Sequence, residues 1–345
     1  MLYLDNAAAT RPLPCAIDAM NAVLRDAWGN PNSGHAMGQI AYDVIGAAKN
    51  TVAKCLNCYP DEIIFCGSAS EAAARIMWTA ECNGVGVDVP ATEHDAVYTL
   101  PYASATIPPK SETMYFRMLA NNETGEIYDP HQHEHRDGCR ESIAVDATAA
   151  VGHIPVDFHA LDVDYLFCDA LKFGGVPGCA ILLVRRGTII EEIMHSPTPH
   201  TALIAACAAA LEWGVEHLDE NDTWERKLFS ELWWILASRV REGIHINGMP
   251  ERNYAPHVHS FRFDGVSGAA LATMLSNRGV MVSTGAACST GDGRPSRVLV
   301  ASGLTEKEAS ETIRITFSHE TTLWEVREAA QIIGECVNHI RALGV

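Results

Sequence analysis

Short apolar runs alternate with longer amphipathic stretches through the first two-thirds of the chain, the pattern of a mostly parallel sheet covered by helices. Apolar runs at residues 62–66, 86–89, 114–119, 143–146, 165–168 and 180–184 predict strands. Gly67-Ser68 turns the first of them into an alanine-rich helix that starts near Ala69. Such a strand–turn–helix start offers an anion site, because first-turn N–H groups have no intrahelical partner and point, with the positive end of the macrodipole, at whatever lies above them. Polar residues follow several of the strands: Thr92-Glu93-His94, Asn121-Asn122-Glu123, Asp146, and Asp169 to Lys172. Ligands of an open α/β sheet collect at the carboxyl ends of its strands, so these clusters are candidates for one shared site.

Helical periodicity follows at residues 201–217 and 223–241, and then the texture changes. Residues 258–263, 269–277, 280–283, 311–317 and 322–342 read as strand, helix, strand, strand, helix, an α+β layer. The expected organisation is therefore an α/β chain with a large domain over residues 13–205 and a smaller α+β domain made of 1–12 and 206–345. No internal repeat and no Pro/Gly/Ser linker marks the boundary.

Composition narrows the function classes. Of 345 residues 48% are apolar and 20% charged, a globular balance. Lys plus Arg number 25 against 43 Asp plus Glu, a net charge of −18 that repels phosphate backbones and anionic lipid heads. Nucleic acid and membranes are thus not the expected partners. Apolar runs stay short of the ~18 residues a membrane helix needs, and Asp5 follows Met1 where a signal peptide would carry basic residues, so the expected location is the cytosol. Eleven dispersed cysteines suit reduced thiols rather than a disulfide framework. Lysine is scarce: there are six, and Lys172 alone lies between Ser111 and Arg226.

Lys172 sits in Cys168-Asp169-Ala170-Leu171-Lys172-Phe173-Gly174-Gly175, at the end of an apolar strand and beside glycines that let backbone approach a ligand. Desolvation there favours the neutral amine, which can form a Schiff base with an aldehyde cofactor. Taken alone, the segment suits a snorkelling surface lysine at least as well. Asp146 ends the run Ile143-Ala144-Val145, and a buried strand-end carboxylate wants a cation, whether a protonated pyridine or a structural partner. Cys288 lies among small residues and glycines, from Ser283 to Gly293, as an exposed thiol able to act as nucleophile or as no more than an accessible cysteine. Arg314 alternates with apolar residues in Thr312-Ile313-Arg314-Ile315-Thr316, facing inward for carboxylate capture or for an internal ion pair. Cys55-Leu56-Asn57-Cys58 has the spacing of half a zinc site but nothing completes it, and His131, His133, His135 and Cys139 fall in a polar connection with no element to orient them. No metal is expected.

Together these segments resemble the cysteine desulfurases, pyridoxal phosphate (PLP) enzymes of the fold-type I, class V aminotransferase superfamily. The resemblance covers nearly the whole chain in the family's order. It runs from Tyr3-Leu4-Asp5-Asn6-Ala7-Ala8-Ala9-Thr10 and Gly29-Asn30-Pro31-Asn32-Ser33-Gly34-His35 through the 62–71 turn, Ala91-Thr92-Glu93-His94, Asn121-Asn122-Glu123-Thr124-Gly125 and Val145-Asp146-Ala147-Thr148 to Lys172, the Cys288 loop and Ile313-Arg314. It implies a large, mostly parallel seven-stranded sheet domain plus a smaller α+β domain carrying the Cys288 loop. It also implies the site. Lys172 would hold PLP as a Schiff base, Asp146 keep its ring nitrogen protonated, and His94 stack on the ring and move protons. Ala69, Ser70 and Thr198 would hold the phosphate, Thr198 from the other subunit of a homodimer. Asn122 would bond near the cofactor's phenolic oxygen and the substrate, while Asn32 and Arg314 would contact the substrate, Arg314 through its carboxylate.

The implied reaction converts L-cysteine to L-alanine through attack of the Cys288 thiolate on the substrate sulfur, and the Cys288 persulfide then serves a protein sulfur acceptor in iron–sulfur assembly or thiolation. A PLP lyase for selenocysteine or cystine would not need Cys288, and a catalytically silent partner protein would not need PLP. Three positions depart from the family pattern. Asp169 replaces a small hydroxyl residue and Leu171 a histidine, both beside the phosphate cradle, and Ala149 replaces a glutamine that supports the cofactor oxygen.

Overall fold

The computed structural model describes residues 1–100, 112–132, 140–193, 198–248, 253–284 and 295–343. It divides into two compact units, one of residues 10–119 and 128–218, the other of 1–9, 120–127 and 219–345. Strand β1 (Leu2–Tyr3) opens the chain in the second unit.

The first unit starts with two helices not read in the sequence, α1 (Pro14–Asp26) and α2 (Ala36–Leu56). Pro14 occupies the first position of α1, where a missing N–H costs nothing. His35 caps α2 by accepting from the Gly38 N–H at 3.2 Å, and Gly38 has no room for a Cβ, which would lie 2.1 Å from the Ser33 carbonyl oxygen. The expected strands follow as β2 (Ile63–Cys66), β3 (Gly86–Asp88), β4 (Glu112–Met118), β5 (Arg140–Asp146), β6 (Tyr165–Asp169) and β7 (Ala180–Val184). Between them lie α3 (Ala69–Cys82) and the one-turn helices α4 (Asp95–Tyr98) and α5 (Phe158–Leu161). Helix α6 (Thr201–Glu216) packs on α1 and α2. That packing groups it with the sheet unit, whereas the sequence put the boundary at residue 205.

The sheet order is β2-β7-β6-β5-β4-β3. β3, β4, β5 and β6 run parallel, and β7 opposes both β6 and β2. The resemblance implies seven strands; six pair among the described residues. Phe116, Phe167, Leu182, Ile76 and Met77 fill a core between sheet and α3. The carboxyl ends of β2 to β6 all fall on one edge, and register aligns them: Asp169 pairs with Ala180, which pairs with Cys66.

The second unit holds α7 (Leu218–Val240), β8 (Ile244–Asn247), β9 (Val258–Phe263), α8 (Gly268–Asn277), β10 (Val280–Met281), α9 (Arg297–Ala301), α10 (Glu306–Ser310), β11 (Thr312–Thr316) and α11 (Leu323–Leu343). Its antiparallel sheet is ordered β11-β9-β8, and β1 pairs in parallel with β10. Phe261, Phe263, Ile313 and Ile315 pack with Leu232, Leu236, Ile333 and Val337 of α7 and α11. Helix α7 starts five residues earlier than its periodicity suggested. The strand expected at 280–283 is cut to two residues, with Ser283 making only a bridge to Arg314.

Segment 120–127 is stitched to this unit. Ala255 N–H donates to the Gly125 carbonyl at 2.7 Å and Ile127 N–H to that of Asn253 at 2.9 Å. Gly125 has φ +77°, and a Cβ on it would lie 2.7 Å from the Val258 carbonyl oxygen. No other residue type fits without displacement.

His259 of β9 stacks on Phe229 with ring centroids 4.3 Å apart and lies 5.0 Å from Phe317. Burial, aided by the Arg226 charge, holds its imidazole down at about 3, well below the ordinary 6.5. The unfolded chain accepts a proton that the folded chain refuses, so the stabilisation present above the unfolded value is lost as pH falls from about 6.5 toward about 3. His259→Phe should remove most of that loss, worth ~2 kcal/mol at about two pH units below the unfolded value. Urea unfolding of both proteins at pH 7 and pH 4.5 checks this.

Candidate active site

The first unit brings His94, Asp146 and Lys172 together. β5 ends at Asp146, whose carboxyl is 5% exposed. Thr148 N–H donates to its Oδ1 at 2.9 Å. Burial pushes the carboxyl up from its ordinary range, while Thr148 and the charges of His94 and Lys172 pull the other way. Burial outweighs them, so the ionised form is less favoured here than in an exposed aspartate. Lys172 ends a 3-10 turn, Ala170–Lys172, that follows β6. The Lys172 carbonyl accepts from Thr10 Oγ1 at 2.9 Å and from His153 Nε2 at 3.0 Å, which requires the proton of His153 on Nε2. These two anchors were not read in the sequence, because neither belongs to a pattern around the lysine. His94 caps α4, its Nδ1 accepting from Ala96 N–H at 3.1 Å.

The start of α3 is occupied by the chain's own acceptors. Ser68 Oγ accepts from Glu71 N–H at 3.1 Å, and Glu71 Oε2 from Gly67 N–H at 2.7 Å. The Ala69 N–H donates to Asp169 Oδ2 at 3.0 Å, while Asp169 Oδ1 accepts from Leu171 N–H at 3.0 Å. Ser70 is exposed on the first turn. Asn32 and Thr198, 166 positions apart in sequence, line one cleft of about 490 Å³ with Gly67, Glu71, Cys179 and Lys49.

A second constellation lies within the second unit. Arg314 of β11 is 3% exposed. Its Nη2 donates to Asp5 Oδ1 at 2.9 Å and its Nη1 to the Asn122 carbonyl at 2.7 Å. Among the described residues, Arg314 Nε and the buried Asn122 Oδ1 have no hydrogen-bond partner. Asp5 was seen as part of a motif but not as the arginine's counter-ion. A buried arginine on an apolar strand needs an acid, and that need was the available signal.

Cys288, His133, His135 and Cys139 lie outside the described residues. His131 Nε2 bonds the Leu161 carbonyl at 2.8 Å. Burial pushes the Cys55 and Cys58 thiols up to about 11 and about 12, so both stay protonated, a poor state for ligation. Ala149 is buried and Leu171 half-buried.

The family described as Aminotransferase class-V matches residues 2–81, 71–194 and 189–328. A cysteine desulfurase of Frankia sp. (strain EuIK1) is 30% identical over 99% of this chain and 93% of its own length. An IscS-like cysteine desulfurase of Mycobacterium tuberculosis is 30% identical over 99% of this chain and 97% of its own. Among solved structures, a NifS-like protein superposes with a TM-score of 0.86 at 29% identity, covering 98% of this chain and 99% of that one. The chain belongs to the class V aminotransferase family, and within it to the cysteine desulfurases. That family consists of PLP enzymes.

The ring end of such a cofactor fits: the Lys172 and His94 charges act on a buried carboxylate whose ionised form burial disfavours, and a cationic ring nitrogen there would add to them. Without the ring, the Asp146 charge is a burden. Because its folded carboxyl is raised, the penalty is absent in acid and grows as pH rises through the interval between its unfolded and folded values. Asp146→Asn should therefore raise the melting temperature of the cofactor-free protein at pH 7.5 by about 2–4 °C, the shift that ~1 kcal/mol produces in a domain of this size. The gain should vanish at pH 4, as scanning calorimetry at both values would read.

Proposed function

We propose that this protein is a PLP-dependent cysteine desulfurase that converts L-cysteine to L-alanine and carries the sulfur as a persulfide on Cys288 for a protein acceptor. The observation that carries the reading is the buried Asp146 carboxylate held in the field of Lys172 and His94. When bound, PLP supplies an electron sink that makes the substrate Cα proton acidic.

The residues divide the remaining work. Lys172 offers the amine for the cofactor aldehyde and then a base for the Cα proton, its turn fixed through the carbonyl held by Thr10 and His153. Asp146 would hold the proton of the cofactor's ring nitrogen, and His94 would lie against the ring and move protons. Arg314, oriented by Asp5 and the Asn122 carbonyl, keeps its Nε edge for the substrate carboxylate. Asn122 Oδ1 is left to accept from substrate or cofactor. Asn32, Ala69, Ser70 and Thr198 are assigned to substrate and phosphate by the family resemblance, Thr198 toward a partner subunit. The Cys288 thiolate attacks the substrate Sγ; the S–S bond forms as the Cβ–Sγ bond breaks, and Cβ takes a proton to give alanine.

With this reading go a homodimer and a cytosolic setting. Among the described residues no helix is long and apolar enough to cross a membrane, and nine cysteines are free thiols.

A visible absorption band that appears on adding PLP, disappears in Lys172→Ala and shifts with L-cysteine is the expected result. Cys288→Ala should keep the band and lose alanine formation by at least about 1,000-fold. Unimpaired turnover in Cys288→Ala would instead identify a lyase of another specificity. Arg314→Lys, which keeps the charge but loses the fork, should raise KM for cysteine about 10–100-fold with a smaller change in kcat.

A further inference from the structure

The anion-binding start of α3 is the place where a phosphate would be held, and this chain has already put a carboxylate there. Asp169 ends β6, and its register with Ala180, itself paired with Cys66, sets it across the sheet edge from the turn that starts α3. One carboxylate oxygen takes the Ala69 N–H at 3.0 Å and the other the Leu171 N–H at 3.0 Å. The same side chain therefore ties the helix start to the turn that carries Lys172. Glu71 adds a second carboxylate, on the Gly67 N–H at 2.7 Å.

On PLP the phosphate arm hangs from the ring carbon next to the aldehyde carbon. Were the aldehyde held by Lys172 and the ring nitrogen by Asp146, the arm would leave the ring near the aldehyde end, and the helix start that the family resemblance assigns to it is the one Asp169 already ties to the Lys172 turn. A phosphate dianion entering there must take the Ala69 N–H from Asp169 and then lie against that carboxylate. Both changes bear on the arm first and do not involve the Asp146 end of the ring.

We propose that Asp169 is the specificity-determining residue of this cofactor site: it stands in for the phosphate, so that the chain binds unphosphorylated pyridoxal nearly as well as PLP. The proposal rests on the cofactor reading above. Condensation of either aldehyde with the Lys172 amine releases one water, and the band that results reports occupancy without any turnover.

The experiment titrates PLP and pyridoxal separately into the full-length chain, reading the Lys172-dependent band, and repeats both titrations on Asp169→Ser and Asp169→Asn. Serine can still cap the Leu171 N–H, and asparagine keeps the shape without the charge. In the unmodified chain the two dissociation constants should agree within about tenfold. Each variant should tighten PLP by about 10–100-fold, the worth of one regained charge-assisted hydrogen bond, and leave pyridoxal unchanged. A preference for PLP of about 100-fold or more in the unmodified chain overturns the proposal while leaving the cofactor reading intact, and that measurement needs no variant to fold. No band with either aldehyde in any of the three proteins overturns both the proposal and the cofactor reading.

Discussion

Burying a carboxylate costs several kcal/mol unless cations or hydrogen bonds answer it, and the carboxyl edge of the first unit is arranged around that demand at Asp146. The residue sits at the end of β5, flanked by β4 and β6, where the sheet leaves its side chain no route to water. One backbone N–H and the fields of His94 and Lys172 answer part of the charge, and burial still outweighs them. A core that needed only stability would carry an apolar residue there. The carboxylate makes sense as the unfinished half of an ion pair whose other half is a ligand, and the position of Lys172 selects an aldehyde-bearing one.

The neighbouring strand end shows the opposite solution with the same residue type. Asp169 has both oxygens bonded to backbone N–H groups, one from the turn behind Lys172 and one from the start of α3. Its charge is satisfied inside the protein and asks for nothing from outside. Two aspartates at the ends of adjacent strands are thus treated differently: the charge of one is answered only in part, and the other has both oxygens bonded to backbone N–H groups.

Much of this could be read from the sequence, for identifiable reasons. The strands of the first unit are short apolar runs bounded by turns, and a period-2 or continuous apolar signal survives without any alignment. Lys172 and Asp146 stood out because each ends such a run. α1 and α2 did not stand out, since their apolar stripes are narrow and partly alanine. The Asp169–Ala69 bond was invisible because it depends on the register of β6, β7 and β2, which sequence does not record. The assignment of 120–127 to the second unit has the same origin. It follows from two hydrogen bonds to residues near 255 and from one glycine at positive φ, not from any boundary signal in composition.

Arg314 is oriented by the same kind of partial pairing. Its partners come from residues 309 and 192 positions away in sequence, yet all three lie within one compact unit, so the guanidinium is fixed by the fold of that unit alone. Asp5 takes one end of the fork and a backbone carbonyl the other, which removes the rotamer freedom that a free arginine would give up on capturing a carboxylate. Asp5 also compensates the buried charge only in part, because a single oxygen is engaged and Nε has no partner among the described residues. A fully satisfied arginine would be structural, and an unpaired one would not stay buried. The intermediate state, oriented but not saturated, is what a residue awaiting an anionic ligand requires.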